Sequence, residues 1–141
     1  MAVLAKAAPE ELEALWAELG GAPPEVRYLR RPETGLVMVR GRAGGDGARF
    51  NLGEMTVTRC SVQVGDGDDG PIGHGYVAGR DHRHAELAAV LDALLQDSAR
   101  RPELLRRVVR PLAEWQAARR RKAAAKAAAT RVEFFTMVRG E

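Results

Sequence analysis

Three histidines, His74, His82 and His84, fall within eleven residues, a density that makes a zinc site the first chemistry to weigh. Zinc ligands converge tetrahedrally, and histidines at i and i+2 share a face only in an extended segment. Asp81 instead marks the start of a helix, so the spacing is poor for a metal and no ligand set is assigned. Two other readings use the same residues. In one, His82 and His84 are ordinary polar residues of a first helical turn. In the other, Gly79 to His84 act as a unit, in which free backbone donors, the helix dipole and two guanidiniums suit a phosphate. The candidate anion-binding residues are then Arg80, His82, Arg83 and His84. Gly73, Gly75 and Gly79 would let a ligand approach the backbone closely, or they mark irregular strand geometry. The chain has neither a P-loop nor a G-x-G-x-x-G run opening a helix, so any nucleotide contact would be unorthodox or shared with a partner.

Glu54 and Arg59 form a candidate polar pair beside the segment Phe50 to Glu54, which lies between a glycine-rich loop and a long strand. Glu54 could act as a general base, yet no matching acid or nucleophile accompanies it, and a solvated or salt-bridged carboxylate is the commoner case. Cys60 sits mid-strand among apolar neighbours, which favours a buried, inert thiol. No catalytic residue is assigned. From Arg100 to Arg131 the chain carries eleven Lys and Arg against Glu103 and Glu114, an asymmetry that attracts polyanions or an acidic partner surface. No aromatic residue is interleaved between Arg119 and Lys126, and no known nucleic-acid-binding signature accompanies the run. A basic nucleic-acid-binding module and a small metal-dependent enzyme are the alternatives that these features keep open.

The elements that must position these residues follow from local pattern. Leu12, Leu15, Trp16 and Leu19 recur at helical spacing over Pro9 to Leu19, with acids in the first turn and Gly20–Gly21 as the stop. Val26 to Leu29 and Leu36 to Arg42 read as extended segments, and Met55 to Val64 as the longest strand. Gly65 to Pro71 is a solvated hairpin loop, and Ile72 to Ala78 the returning strand. After Asp81, Leu87, Val90, Leu91, Leu94 and Leu95 form one apolar stripe of a helix packed on the sheet. Pro102 opens a further helix, Pro111 predicts a break or kink, and the alanine-rich stretch carries the helix to about Thr130. Val132 to Val138 reads as a terminal strand. Met38-Val-Arg-Gly41 recurs as Met137-Val-Arg-Gly140, an echo too short to define a repeat.

A length of 141 residues fits a single domain spanning 1–141. A lone cysteine, the lack of a secretory leader pattern and apolar runs far shorter than the ~20 residues of a bilayer span lead to the expectation of a cytoplasmic protein. The fold class expected is α+β, an antiparallel sheet covered by helices, with a long basic C-terminal helix followed by a terminal strand.

Four segments carry a family resemblance: Glu33 to Arg42, Phe50 to Arg59, Gly73 to Asp81 and Ala129 to Glu141. Together they resemble the G-subunit family of the bacterial carbon–phosphorus lyase system (PhnG), over nearly the whole chain. The resemblance implies a cytoplasmic subunit of the core complex through which bacteria use alkylphosphonates as a phosphorus source. In that family the G, H, I and L proteins together displace adenine from ATP, supplied as Mg-ATP, with a phosphonate, and the J subunit, an iron–sulfur radical enzyme, later cleaves the carbon–phosphorus bond. The implied partners are subunits H, I, J and L, with the I subunit in direct contact; a homodimer stands beside these as a further assembly. Neither a membrane nor a nucleic acid is implied. The resemblance supplies no catalytic residue to this chain and no cofactor bound by it alone.

Overall fold

The computed structural model describes residues 1–20, 23–65 and 67–131. A short helix α1 (Ala2–Ala5) precedes α2 (Pro9–Leu19), where Pro9 opens the first turn, Glu10 and Glu11 face the positive dipole end, and Leu12 and Leu15 are buried. Three strands follow: β1 (Val26–Arg42), β2 (Arg49–Val64) and β3 (Ile72–Ala78). They form an antiparallel sheet in the order β1-β2-β3.

β1 joins the two extended segments that the sequence pattern separates. Pro32 lies on the edge strand, in the irregular stretch between Arg30 and Glu33, where a missing N–H costs no ladder bond. β2 likewise begins before Met55: Phe50 to Glu54 are strand, not a connection, with Phe50 opposite Gly41 and Glu54 opposite Met38. The register slips once in this region, Val39 facing Gly53 and Arg40 facing Asn51, which leaves Leu52 as the extra residue of a bulge. β3 pairs only with Val57 to Gln63 of β2. Strand β2 is therefore central over its second half and one of two strands over its first.

Helix α3 (His82–Leu94) covers one face of the three-stranded part. Asp81 caps it, its carboxylate accepting the His84 N–H at 2.9 Å. Cys60, Val62 and Val64 of β2 lie under the helix, alongside Gly73, Gly75 and Val77 of β3. The two glycines admit the helix backbone itself. A Cβ on Gly73 would sit 2.0 Å from the Ala89 carbonyl oxygen, and one on Gly75 2.1 Å from that of Ala85. These glycines thus serve helix–sheet packing, and not the ligand approach that their spacing also allows. Nine of the thirteen residues of α3 are buried, because α1, α2 and the C-terminal helices close over its other side with Leu4, Leu12, Leu104, Val108 and Leu112. All these elements contribute to one hydrophobic cluster.

The last helical stretch opens with α4 (Arg101–Leu104), widens into a π-turn at Leu105–Val109, and continues as α5 (Arg110–Ala129). The Arg110 N–H reaches back five residues to the Leu105 carbonyl. The wider turn takes up the clash that the Pro111 ring would make in a regular helix, so the expected break becomes a bulge within a continuous helix. α5 is anchored by Leu112, by Gln116 Nε2 donating to the Val3 carbonyl at 2.8 Å and by Arg119 pairing with Glu11 at 2.5 Å. From Ala118 to Thr130 it is exposed. Among the described residues no helix is long and apolar enough to cross a membrane. The terminal strand expected at Val132 to Val138 lies outside the described residues, as does the second half of the Met-Val-Arg-Gly echo.

Candidate functional site

At the start of α3 the four candidate anion contacts diverge. His84 is buried, and its Nε2 donates to the Leu4 carbonyl at 2.7 Å, tying α1 to α3. Arg83 forks onto both carboxylate oxygens of Glu13 at 3.2 and 3.3 Å and reaches Glu86 at 3.2 Å. These contacts, first that with Glu13, push the guanidinium further above its ordinary range. Glu86 also accepts from the Tyr28 hydroxyl, which raises the phenol's pKa, so the chain Glu13–Arg83–Glu86–Tyr28 links α2, α3 and β1. His82 meets the hydroxyl of Thr34 at 3.1 Å. Thr58 gives its only hydroxyl hydrogen to the Gly79 carbonyl at 2.8 Å and so accepts from Thr34; Thr34 then accepts from the His82 Nε2–H. Arg80 is exposed. Side chains of successive residues at a helix start radiate around its axis, and His82, Arg83 and His84 find partners on three different elements, β1, α2 and α1.

His74 stands apart from both, on the sheet face away from α3, where its Nδ1 meets the Ser61 hydroxyl at 2.9 Å directly across the ladder. Its backbone N–H donates to Asp92. Among the described residues no carboxylate hydrogen-bonds the imidazole and no group of three potential metal ligands occurs, so serine and histidine form a cross-strand polar pair.

The same uncovered face holds a grouping that the sequence pattern did not single out. Arg59 reaches not Glu54 but Glu33, with Nε and Nη2 both 2.7 Å from Oε1, and Arg30 closes on the same oxygen at 2.5 Å. Glu54 and Arg59 differ by an odd number of positions along β2 and project to opposite faces, which undoes their assignment as a pair. The two guanidiniums, Arg30 foremost, hold the Glu33 carboxyl below the ordinary carboxylate range. Tyr76 lies directly opposite Arg59 and, with Gly35, Val37 and Val57, lines a shallow hollow of about 370 Å³. The i, i+2 spacing of Arg59, Ser61 and Gln63 was the available signal for this polar face; the partner Glu33 depended on a shifted register. A second cleft, about 320 Å³, lies between α2 and α4 and is walled by Trp16, Leu19, Pro23, Leu94 and Leu104, with Arg100 and Glu103 at its rim.

Cys60 is fully buried, its thiol pushed up to about 11 mainly by desolvation. It is a packing residue with a weak donor contact to the Arg30 carbonyl at 3.4 Å. The polar groups of this small α+β chain are thus largely occupied in holding its own elements together, while a projecting ribbon and a basic helix remain free at the surface. The class is a small α+β chain whose two-stranded ribbon and basic helix lie exposed. The chain belongs to a family of phosphonate metabolism proteins, PhnG, whose family model matches residues 1–140. It is 48% identical over 141 residues to the alpha-D-ribose 1-methylphosphonate 5-triphosphate synthase subunit PhnG of Rhizobium meliloti (strain 1021), a match that covers 100% of this chain and 87% of that relative.

Proposed function

We propose that this chain is a subunit of an alpha-D-ribose 1-methylphosphonate 5-triphosphate synthase, and that it contributes to assembly instead of supplying the reacting groups. The observation that carries the reading is 48% identity to a subunit of that synthase across the whole chain. The geometry supports the accessory role: Arg83 and His84 are committed to Glu13, Glu86 and Leu4, and Ser61–His74 lacks an orienting carboxylate among the described residues. In this reading the assembled complex displaces adenine from Mg-ATP with an alkylphosphonate in the cytoplasm. The G-type chain sits with the H, I, J and L subunits of the system and touches the I subunit directly. Arg80 and His82 are the two exposed anion contacts that no carboxylate engages among the described residues, and they would face a phosphate at a shared surface.

The test is reconstitution. Subunits H, I and L are coexpressed with and without this chain, and adenine release from ATP is measured with methylphosphonate present. Release that needs this chain is the expected result. Equal release without it, or no copurification with any subunit, overturns the proposal.

A further inference from the structure

Beyond the last β3 pairing, at Val57, strands β1 and β2 continue alone as a two-stranded ribbon. Seven residues of β1, Leu36 to Arg42, extend it by about 23 Å before the turn. Helix α3 ends its cover at Thr34, where His82 is bound. An isolated ribbon of this kind is at best marginally stable in water. Its surface is nonetheless apolar: Leu36, Val37, Met38, Phe50, Leu52 and Met55 are all exposed, Leu36 to 61% and Leu52 to 66%. Alternation along the strands puts Leu36 and Met38 on one broad face, and Val37 with its partner Met55 on the other. Clustered exposed apolar side chains of this size mark an interaction surface.

The tip adds charge to this pattern. Arg42 stands directly opposite Arg49, and Arg40 lies two residues away on the same face. Like charges set across a ladder repel one another. Among the described residues none of the three forms a salt bridge, although Arg42 reaches the Gly47 carbonyl at 3.5 Å. Within the fold the juxtaposition is unfavourable; a carboxylate-bearing surface laid on it turns it into an attraction.

Resting on the subunit reading above, we propose that the β1–β2 ribbon inserts into a groove of a partner subunit. The groove has apolar walls that cover both faces of the ribbon and carboxylates that receive Arg40, Arg42 and Arg49. A second copy of this chain fits less well. Two ribbons packed face to face cover only one face each. A nucleic acid satisfies the arginines but leaves the aliphatic side chains of both faces in water.

The experiment coexpresses the full chain with the remaining synthase subunits and measures complex mass by light scattering and affinity by biolayer interferometry. One variant carries Leu36→Asp and Leu52→Asp, another Arg40→Glu, Arg42→Glu and Arg49→Glu. A control carries Arg120→Glu and Arg121→Glu on exposed α5. The wild type is expected to join the complex, each ribbon variant to bind at least tenfold more weakly at an unchanged melting temperature, and the control to stay within threefold. If the aspartate variant fails to fold, the charge variant decides alone. Ribbon variants that bind like a binding wild type overturn the inference and leave the subunit reading intact. A wild type that binds no subunit overturns both. A self-dimer abolished by the ribbon variants, or salt-dependent duplex binding lost only with the arginines, also overturns it.

Discussion

Substituting Gly75 by alanine tests one of the two closest approaches between sheet and helix. The new methyl would lie 2.1 Å from the Ala85 carbonyl oxygen and 3.0 Å from the Ala89 nitrogen, both backbone atoms of α3 that no rotamer change can move. Restoring ordinary contact near 3.5 Å requires the helix to lift by about 1.4 Å, and gaps of that order forfeit a quarter to a half or more of the dispersion energy of the atoms lining them. The seam affected includes Cys60, Val62, Val77, Ala85 and Ala89, all buried, so the overpacking cost falls at the upper end of the usual range, about 3 kcal/mol. Removing a glycine from a strand returns about 0.5–1 kcal/mol. The net loss is about 2–2.5 kcal/mol, which at this chain length lowers Tm by roughly 6–9 °C. Gly53→Ala is the control, because nothing lies within 4 Å of its added methyl, and it leaves Tm unchanged or slightly raised. Gly73→Ala behaves like Gly75→Ala, and adding Ala93→Gly does not rescue it, since the Ala89 oxygen and Ala93 nitrogen still clash. The assay is thermal and urea unfolding followed by circular dichroism. A Gly75→Ala protein melting within 1–2 °C of the wild type refutes the argument that backbone contact between β3 and α3 sets the layer spacing.

Other perturbations follow from single side chains. His84→Ala removes a buried ring and its bond to the Leu4 carbonyl, which keeps the Ala7 N–H at 3.3 Å, so about 2 kcal/mol is lost and amide exchange in α1 accelerates; unchanged protection of the Ala5 amide contradicts the tie. Cys60, with its thiol pushed up to about 11, stays unreactive toward a disulfide reagent at pH 8 until the protein is unfolded. The unfolded thiol ionises near 8.5 while the folded one keeps its proton, so stability falls between about pH 8.5 and 11 by on the order of 2 kcal/mol more in the wild type than in Cys60→Ala. The Glu33 carboxyl, held down first by Arg30, titrates below the ordinary glutamate range by NMR, and Arg30→Gln moves it upward; a Glu33 titration indifferent to that change rules out the pairing as its cause.

What could be read in the sequence was what local chemistry decides. The bounds of α2, the hairpin loop before β3, the Asp81 cap and the end of α5 near Thr130 all rest on residues within a few positions of each other. The failures are non-local. Pro32 and the Gly53–Glu54 step look like interruptions until a partner strand supplies the register that tolerates them. Arg59 finds Glu33 instead of Glu54 because two register shifts in β1 bring Glu33 opposite it. The leucine stripe of α3 was legible, but not that Ala85 and Ala89 meet the glycines of β3 or that the leucines serve a second helical layer as well. For the candidate site, the sequence places Arg80, His82, Arg83 and His84 at one helix start, but only the tertiary structure shows that His82, Arg83 and His84 take partners on three different elements.

One strand therefore does two separable jobs. From Thr58 to Val64, β2 alternates buried residues under α3 with a polar row that includes Arg59 and Ser61, and its side chains are flanked on both sides by other strands. From Arg49 to Met55 every residue is exposed, and only β1 lies alongside. Burial makes the second half expensive to change, because each substitution there acts on a core shared by α3 and the outer helices. Exposure makes the first half cheap to change in the isolated chain, where surface substitutions typically stay within 0.5 kcal/mol. Two classes of defective variant should then exist on the same strand: those such as Val62→Asp that prevent folding, and those such as Leu52→Asp that fold normally and fail only when the partner is present.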